Sequence, residues 1–151
     1  MTEQETIRWL SRAYWLRIRI TKMQEQRRQM QALAEGVRGM DYSRSITQGG
    51  EPQTLLDAVA RLVDLDAKIA EEIMKYTVAV DEITAEINKV EDSRLSGLLY
   101  LRYVCGERWE RVACDLSYGW AQVHRLHHRA LAAVREKMIH NDTVTCAKML
   151  S

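Results

Sequence analysis

No phenylalanine occurs anywhere in this chain, Pro52 is its one proline, and glycine is held to 7 positions. So few helix breakers leave little to interrupt long helices, and Leu, Ala, Arg, Glu, Met and Gln are plentiful instead. An all-α fold is the expectation. Cysteine is scarce too: Cys105, Cys114 and Cys146 are an odd set without close-pair spacing, so neither a disulfide framework nor a zinc site is indicated. They read as buried or incidental thiols. The apolar runs are a few residues long, far below a membrane span, and the amino terminus is polar and acidic rather than a secretory leader. The expected location is therefore the cytoplasm, with no membrane partner.

Strong net charge is also missing, at +1, yet its distribution is uneven. Up to Asp92 there are 13 basic against 16 acidic side chains, whereas Ser93–Met138 holds 8 basic against 4 acidic. The positive charge sits in one segment, as a nucleic-acid surface requires. With apolar residues at 46% and charged residues at 28%, the chain has enough hydrophobic content to fold.

Two segments carry a seven-residue apolar repeat. In the first, Trp9, Ala13, Leu16, Ile20, Met23, Arg27, Met30 and Ala34 alternate steps of four and three. In the second, Leu55, Val59, Leu62, Asp66, Ile69, Ile73, Tyr76, Val80, Ile83, Ile87 and Val90 keep the same alternation. Arg27 and Asp66 are the only interruptions. The pattern is that of coiled coils. Between the stripes, residues 36–51 gather Gly36, Gly39, Gly49 and Gly50 with Ser and Thr and read as a loop, and Pro52 suits the first turn of the next helix. Residues 1–92 are thus expected to form a long antiparallel helical hairpin. A helix from Pro52 to Glu91 is about 60 Å long, more than one partner stripe covers. The excess needs another chain, the following domain or a partner protein, and a homodimer through the hairpin is left open.

The segment 93–138 reads as a three-helix helix-turn-helix domain. Asp92 and Ser93 offer an N-cap, and Leu95, Leu98, Leu99, Leu101 and Val104 line a helix that Gly106 stops. A second helix fits Trp109–Leu116, a turn follows at Ser117, Tyr118 and Gly119, and a third helix runs Trp120–Met138. Ala113 is small where two such helices cross, and Val123 falls ten residues later to plug the last helix into the core. Residues 139–151 read as a tail that frays.

The residues Leu99–Gly106, Trp109-Glu110-Arg111-Val112-Ala113 and Val123-His124-Arg125-Leu126-His127, with Ala130-Leu131, resemble the fourth conserved region of sigma-70 factors. The whole layout is similar to small sigma-70-like or late-transcription-regulator proteins of phages and prophages of Firmicutes. That resemblance implies binding of double-stranded promoter DNA and contact with RNA polymerase. Two positions depart from it: Arg108 stands where a Ser or Thr cap is common, and Gly119 where Ser often begins the last helix. The other sigma regions have no counterpart, so the resemblance implies a DNA-reading module and not a whole initiation factor.

On a helical wheel Val123, Leu126, His127, Ala130, Leu131 and Val134 share one side of the last helix; Ala121, Arg125, His128, Arg129 and Ala132 lie opposite, with Gln122 and His124 flanking. Helix starts reach base edges best, so Trp120, Ala121, Gln122 and Arg125 are the expected readers, Gln for adenine and Arg for guanine. His124, His128 and Arg129 are expected to hold phosphates. Trp120 serves equally well as packing, and His127 reads as core-facing. His124 and His128 are four apart, a metal-compatible spacing, but no third ligand accompanies them. No metal, cofactor or catalytic centre is expected. A small terminase-like packaging subunit and a helical adaptor that does not bind DNA are the alternatives.

Overall fold

The computed structural model describes residues 1–38 and 51–150. Its elements are α1 (Glu3–Leu10), α2 (Arg12–Arg38), α3 (Glu51–Asn88), α4 (Ser93–Leu99) with a π-helical turn (Tyr100–Val104), α5 (Trp109–Leu116) and α6 (Trp120–Met149). No strand occurs among the described residues, so the all-α expectation holds. None of the described helices is long and apolar enough to cross a membrane. Two compact units divide the chain, one of Leu16–Lys75 and one that joins Met1–Trp15 to the chain from Tyr76 onward. The second takes in more than the segment 93–138: the start of the chain and the last turns of α3 belong to it.

In the unit Leu16–Lys75, the two polar interruptions of the apolar stripes meet each other. Arg27 Nε donates to Asp66 Oδ1 at 2.5 Å and its guanidinium also reaches Oδ2 at 3.4 Å, while Arg19 lies 3.5 Å from Glu72. Residue numbers rise along α2 as they fall along α3, so the two segments run antiparallel. Ile20, Ala34, Leu65 and Ile69 are buried, together with Glu72, whose carboxylate Arg19 and Lys75 bracket at 3.5 and 3.2 Å. Up to Ile73 the α3 seam differs from the predicted one at every second position. Leu65 and Glu72 are inside, whereas Val59, Asp66 and Ile73 are exposed. Apolar residues at adjacent positions allow two phases of the same heptad, and only the packing of α2 selects one. Of the predicted loop 36–51, α2 takes the residues to Arg38 and α3 starts at Glu51; 39–50 lie outside the described residues. Pro52 falls in the first turn of α3, where its missing N–H costs no helical bond.

The other unit holds the deepest core. A capping box starts α1: Glu5 N–H donates to Thr2 Oγ1 at 3.2 Å and Thr2 N–H to the Glu5 carboxylate at 2.6 Å. That backbone bond holds the Glu5 carboxyl below the usual carboxylate range. The predicted continuous stripe is interrupted at Ser11, between α1 and α2, and Arg12 Nε donates to the Trp9 carbonyl at 3.1 Å there. Thr6 and Leu10 of α1 are fully buried, as are Ile83 and Ile87 of α3, Leu98 and Leu99 of α4, Val112 of α5, and Val123, Leu131 and Val134 of α6. Removing ten such side chains from water is the main favourable contribution to folding here, on the order of 1.5–3 kcal/mol for each large one.

Asp92 caps α4 through Arg94 N–H at 3.0 Å, as the sequence predicts. The helix then widens: Cys105 N–H donates to the Tyr100 carbonyl at 3.0 Å, five residues back. With this extra residue per turn Tyr103 lies in the core and Leu101 and Val104 are half-buried. Gly106, at φ 70, ends the segment in a conformation that suits glycine. At the far end, α6 runs past Met138 to Met149, so the predicted tail is helical over most of its length. No Gly or Pro stops it, and Asn141 Nδ2 reaches Glu86 Oε1 at 3.4 Å.

Candidate nucleic-acid interface

The turn between α5 and α6 presents the start of the last helix. Tyr118 N–H donates to the Ala113 carbonyl at 3.0 Å and Ser117 N–H to that of Cys114 at 3.1 Å, the paired bonds of a Schellman end. Ser117 sits at φ 58, a left-handed position more commonly held by glycine. Neither Arg108 nor Gly119, the N-caps of α5 and α6, supplies a side-chain cap, in line with the two departures noted in the sequence. A Cβ at Gly119 would meet nothing within 4 Å, so no side chain crowds this entry to α6.

From Trp120 onward α6 divides as its wheel predicts. Val123, Leu126, His127, Ala130, Leu131 and Val134 are all buried. Ala121, Gln122, Arg125, His128, Arg129 and Ala132 are exposed, His124 is half-buried, and Trp120 is 54% exposed. The structure therefore brings six of the seven candidate residues to the solvent-facing side of the first turns, with His124 half-buried at its edge. Arg125 and Arg129 put two guanidinium groups there.

An aromatic row connects this face to the core. Trp120 meets His124 edge-on at 4.5 Å between ring centres, His124 lies 5.3 Å from Trp109, and Trp109 lies 4.6 Å from His127. Trp109 also carries the Arg102 guanidinium 4.6 Å over its ring, and Arg102 donates to the Glu107 carbonyl at 2.9 Å. Tyr103 Oη and His127 Nε2 share a hydrogen bond of 2.7 Å. Burial pushes the Tyr103 hydroxyl up to about 12 and the His127 imidazole down to about 4; nearby His128, His124 and Arg102 depress His127 further, against the pull of Glu3. Both groups are consequently neutral near pH 7, and His127 is a core residue, as its place on the wheel predicts.

Glu3 also belongs to this face, though it is not among the residues expected there. It reaches from α1 to within 3.0 Å of His128 Nδ1, so one of the candidate phosphate holders already has an acidic neighbour. A Thr2-x-x-Glu5 capping box signals that α1 exists, but no local pattern tells that it packs beside α6. Tyr14, Trp15, Arg102, Tyr103, Trp109 and His127 also wall an open cleft of about 410 Å³, again formed with the start of the chain.

The three cysteines, read as buried or incidental, are all exposed. Among the described residues no group of three or more His, Cys, Asp or Glu is placed to hold a metal ion. No family model matches this chain, and neither any curated protein nor any solved structure is detectably similar to it.

Proposed function

We propose that this protein is a DNA-binding transcriptional regulator of phage or prophage type. In this reading a long antiparallel hairpin precedes a sigma-70 region 4-like helix-turn-helix, and the start of α6 enters the major groove of promoter DNA. The observation that carries it is the clean division of α6 behind a Schellman turn, core on one side and Trp120, Ala121, Gln122, Arg125 and Arg129 in solvent on the other. Free Gln and Arg side chains on the first turns of a helix are the geometry that reads adenine and guanine edges.

Arg125 is assigned to guanine and Gln122 to adenine, with Trp120 and Ala121 against neighbouring bases. His124, His128 and Arg129 hold phosphates, and His128 exchanges Glu3 for a phosphate oxygen on binding. RNA polymerase is the second partner, which places the protein in the cytoplasm. The function needs no catalytic centre and no cofactor.

Selection of bound sequences from a random duplex library tests this, with the purified protein alone and with RNA polymerase added. One enriched motif from the protein alone is expected. Changing Gln122 and Arg125 together to Ala should lower affinity for that motif at least about tenfold while helix content is unchanged, since each good base contact contributes about 1–3 kcal/mol. Enrichment only with polymerase would replace the autonomous reader by a sigma-like appendage. No enrichment in either arm would leave a helical adaptor, and a ring of eight or more subunits would point to a terminase-like packaging subunit.

A further inference from the structure

Helix α3 has two apolar faces within the unit Leu16–Lys75, and α2 covers only one. Opposite the seam of Leu62, Leu65 and Ile69, at roughly 160° around the helix, Leu56, Ala60, Val63, Ala67, Ala70 and Met74 recur at alternating steps of four and three. Every one is exposed, Leu56, Val63 and Met74 by 64%, 63% and 67%. Exposed Val59 and Ile73 widen the strip. A helix that is apolar on both of its faces calls for burial on both.

Beside the strip runs one row of charge that alternates in sign: Asp57, Arg61, Asp64, Lys68, Glu71, Lys75. Among the described residues the first five have no ion pair, and Lys75 reaches Glu72 alone. Read backwards, this row inverts every sign. A second copy laid antiparallel therefore sets Asp57 opposite Lys75, Arg61 opposite Glu71 and Asp64 opposite Lys68, whereas a parallel two-fold puts the two rows on opposite edges of the strip, where they do not meet. A centre one residue earlier, at Leu65, stacks Val63 on Ala67, Ala60 on Ala70 and Leu56 on Met74, so a single two-fold between Leu65 and Asp66 lies within one residue of both sets. Small residues in the middle layers let the two backbones approach closely.

We propose that this strip is the interface of a homodimer, in which α3 packs antiparallel on α3 of a second copy about a two-fold axis near Asp66. Self-complementary charge of this kind selects a second copy over an unrelated partner, and closure about a two-fold limits the assembly to two chains. The proposal rests on the hairpin part of the function proposed above and is independent of DNA.

The test is the mass of the full-length protein by sedimentation equilibrium without DNA. A species of about 35 kDa is expected, twice the 17.5 kDa of one chain. Ala67→Glu, at an exposed helical position, should return the chain to monomer mass with the same helical circular dichroism. Asp64→Lys should weaken association about tenfold or more by setting like charges together, and adding Lys68→Asp in the same chain should restore it. A monomer at about 100 µM, a higher ring, a dimer indifferent to Ala67→Glu, or a double swap that fails to recover would each overturn the interface. Because no DNA is present, a negative outcome leaves the DNA-reading face standing, and a protein that selects no DNA motif leaves the dimer standing.

Discussion

The two compact units bury their apolar residues to very different depths. The ten largest fully buried side chains among the described residues, from Thr6 to Val134, belong to the unit that joins Met1–Trp15 to the chain from Tyr76 onward. Among the described residues of Leu16–Lys75 nothing goes that deep; the best-covered apolar ones, Ile20, Ala34, Leu65 and Ile69, keep 7–8% of their surface, while Leu33, Leu56, Val63 and Met74 stand in solvent. The cause is geometric. Two antiparallel helices make a single seam, whereas helices packed on several sides enclose a core. The first unit thus encloses its apolar residues, and the second leaves a strip of them in solvent.

A core substitution in each unit should separate them most sharply. Leu131→Ala is expected to cost about 2–5 kcal/mol in urea unfolding, because its cavity is enclosed on every side. Ile69→Ala should cost less, about 2 kcal/mol, since the two-helix seam can close over the gap. Equal losses would break the comparison.

Titration should sharpen it, because the one strongly depressed imidazole lies in the closed unit. Unfolded, His127 titrates at its ordinary 6.5; folded, it titrates at about 4. Above pH 6.5 the side chain is neutral in both states and its contribution to stability is whole. As the pH falls from 6.5 toward 4 the unfolded chain takes up a proton that the folded chain refuses, and up to about 3 kcal/mol is lost. Below about 4 this loss is complete. Urea midpoints compared at pH 7 and pH 4.5 should show the drop in the wild type and a smaller one in His127→Gln; identical drops would remove His127 as the cause.

The smallest effect concerns a helix end. Arg108 leaves the start of α5 without a side-chain cap, and Arg108→Ser should raise stability by about 1 kcal/mol, seen as a higher melting temperature.

Much of this was legible in the amino acids. Trp109–Leu116 and the start of α6 fall where turn and cap residues predict them, and the wheel of α6 separates Val123, Leu126 and Leu131 from Arg125 and Arg129 correctly. These are local decisions. Periodicity and capping are written within a turn or two of the residues they govern. The phase of α3 was less secure, because Leu65 beside Asp66 and Glu72 beside Ile73 permit either reading of the heptad.

The sequence by itself determined that this chain is helical, where most helices begin, which face of α6 is apolar, and that positive charge gathers from Ser93 to Met138. Only the tertiary structure decided that Glu3 stands beside His128, that Tyr103 enters the core to meet His127, and that Arg27 finds Asp66. Each of those joins residues 24 to 125 positions apart. Such pairs leave no periodic trace in the chain, since they are selected by the packing of whole helices and not by the neighbours of either residue.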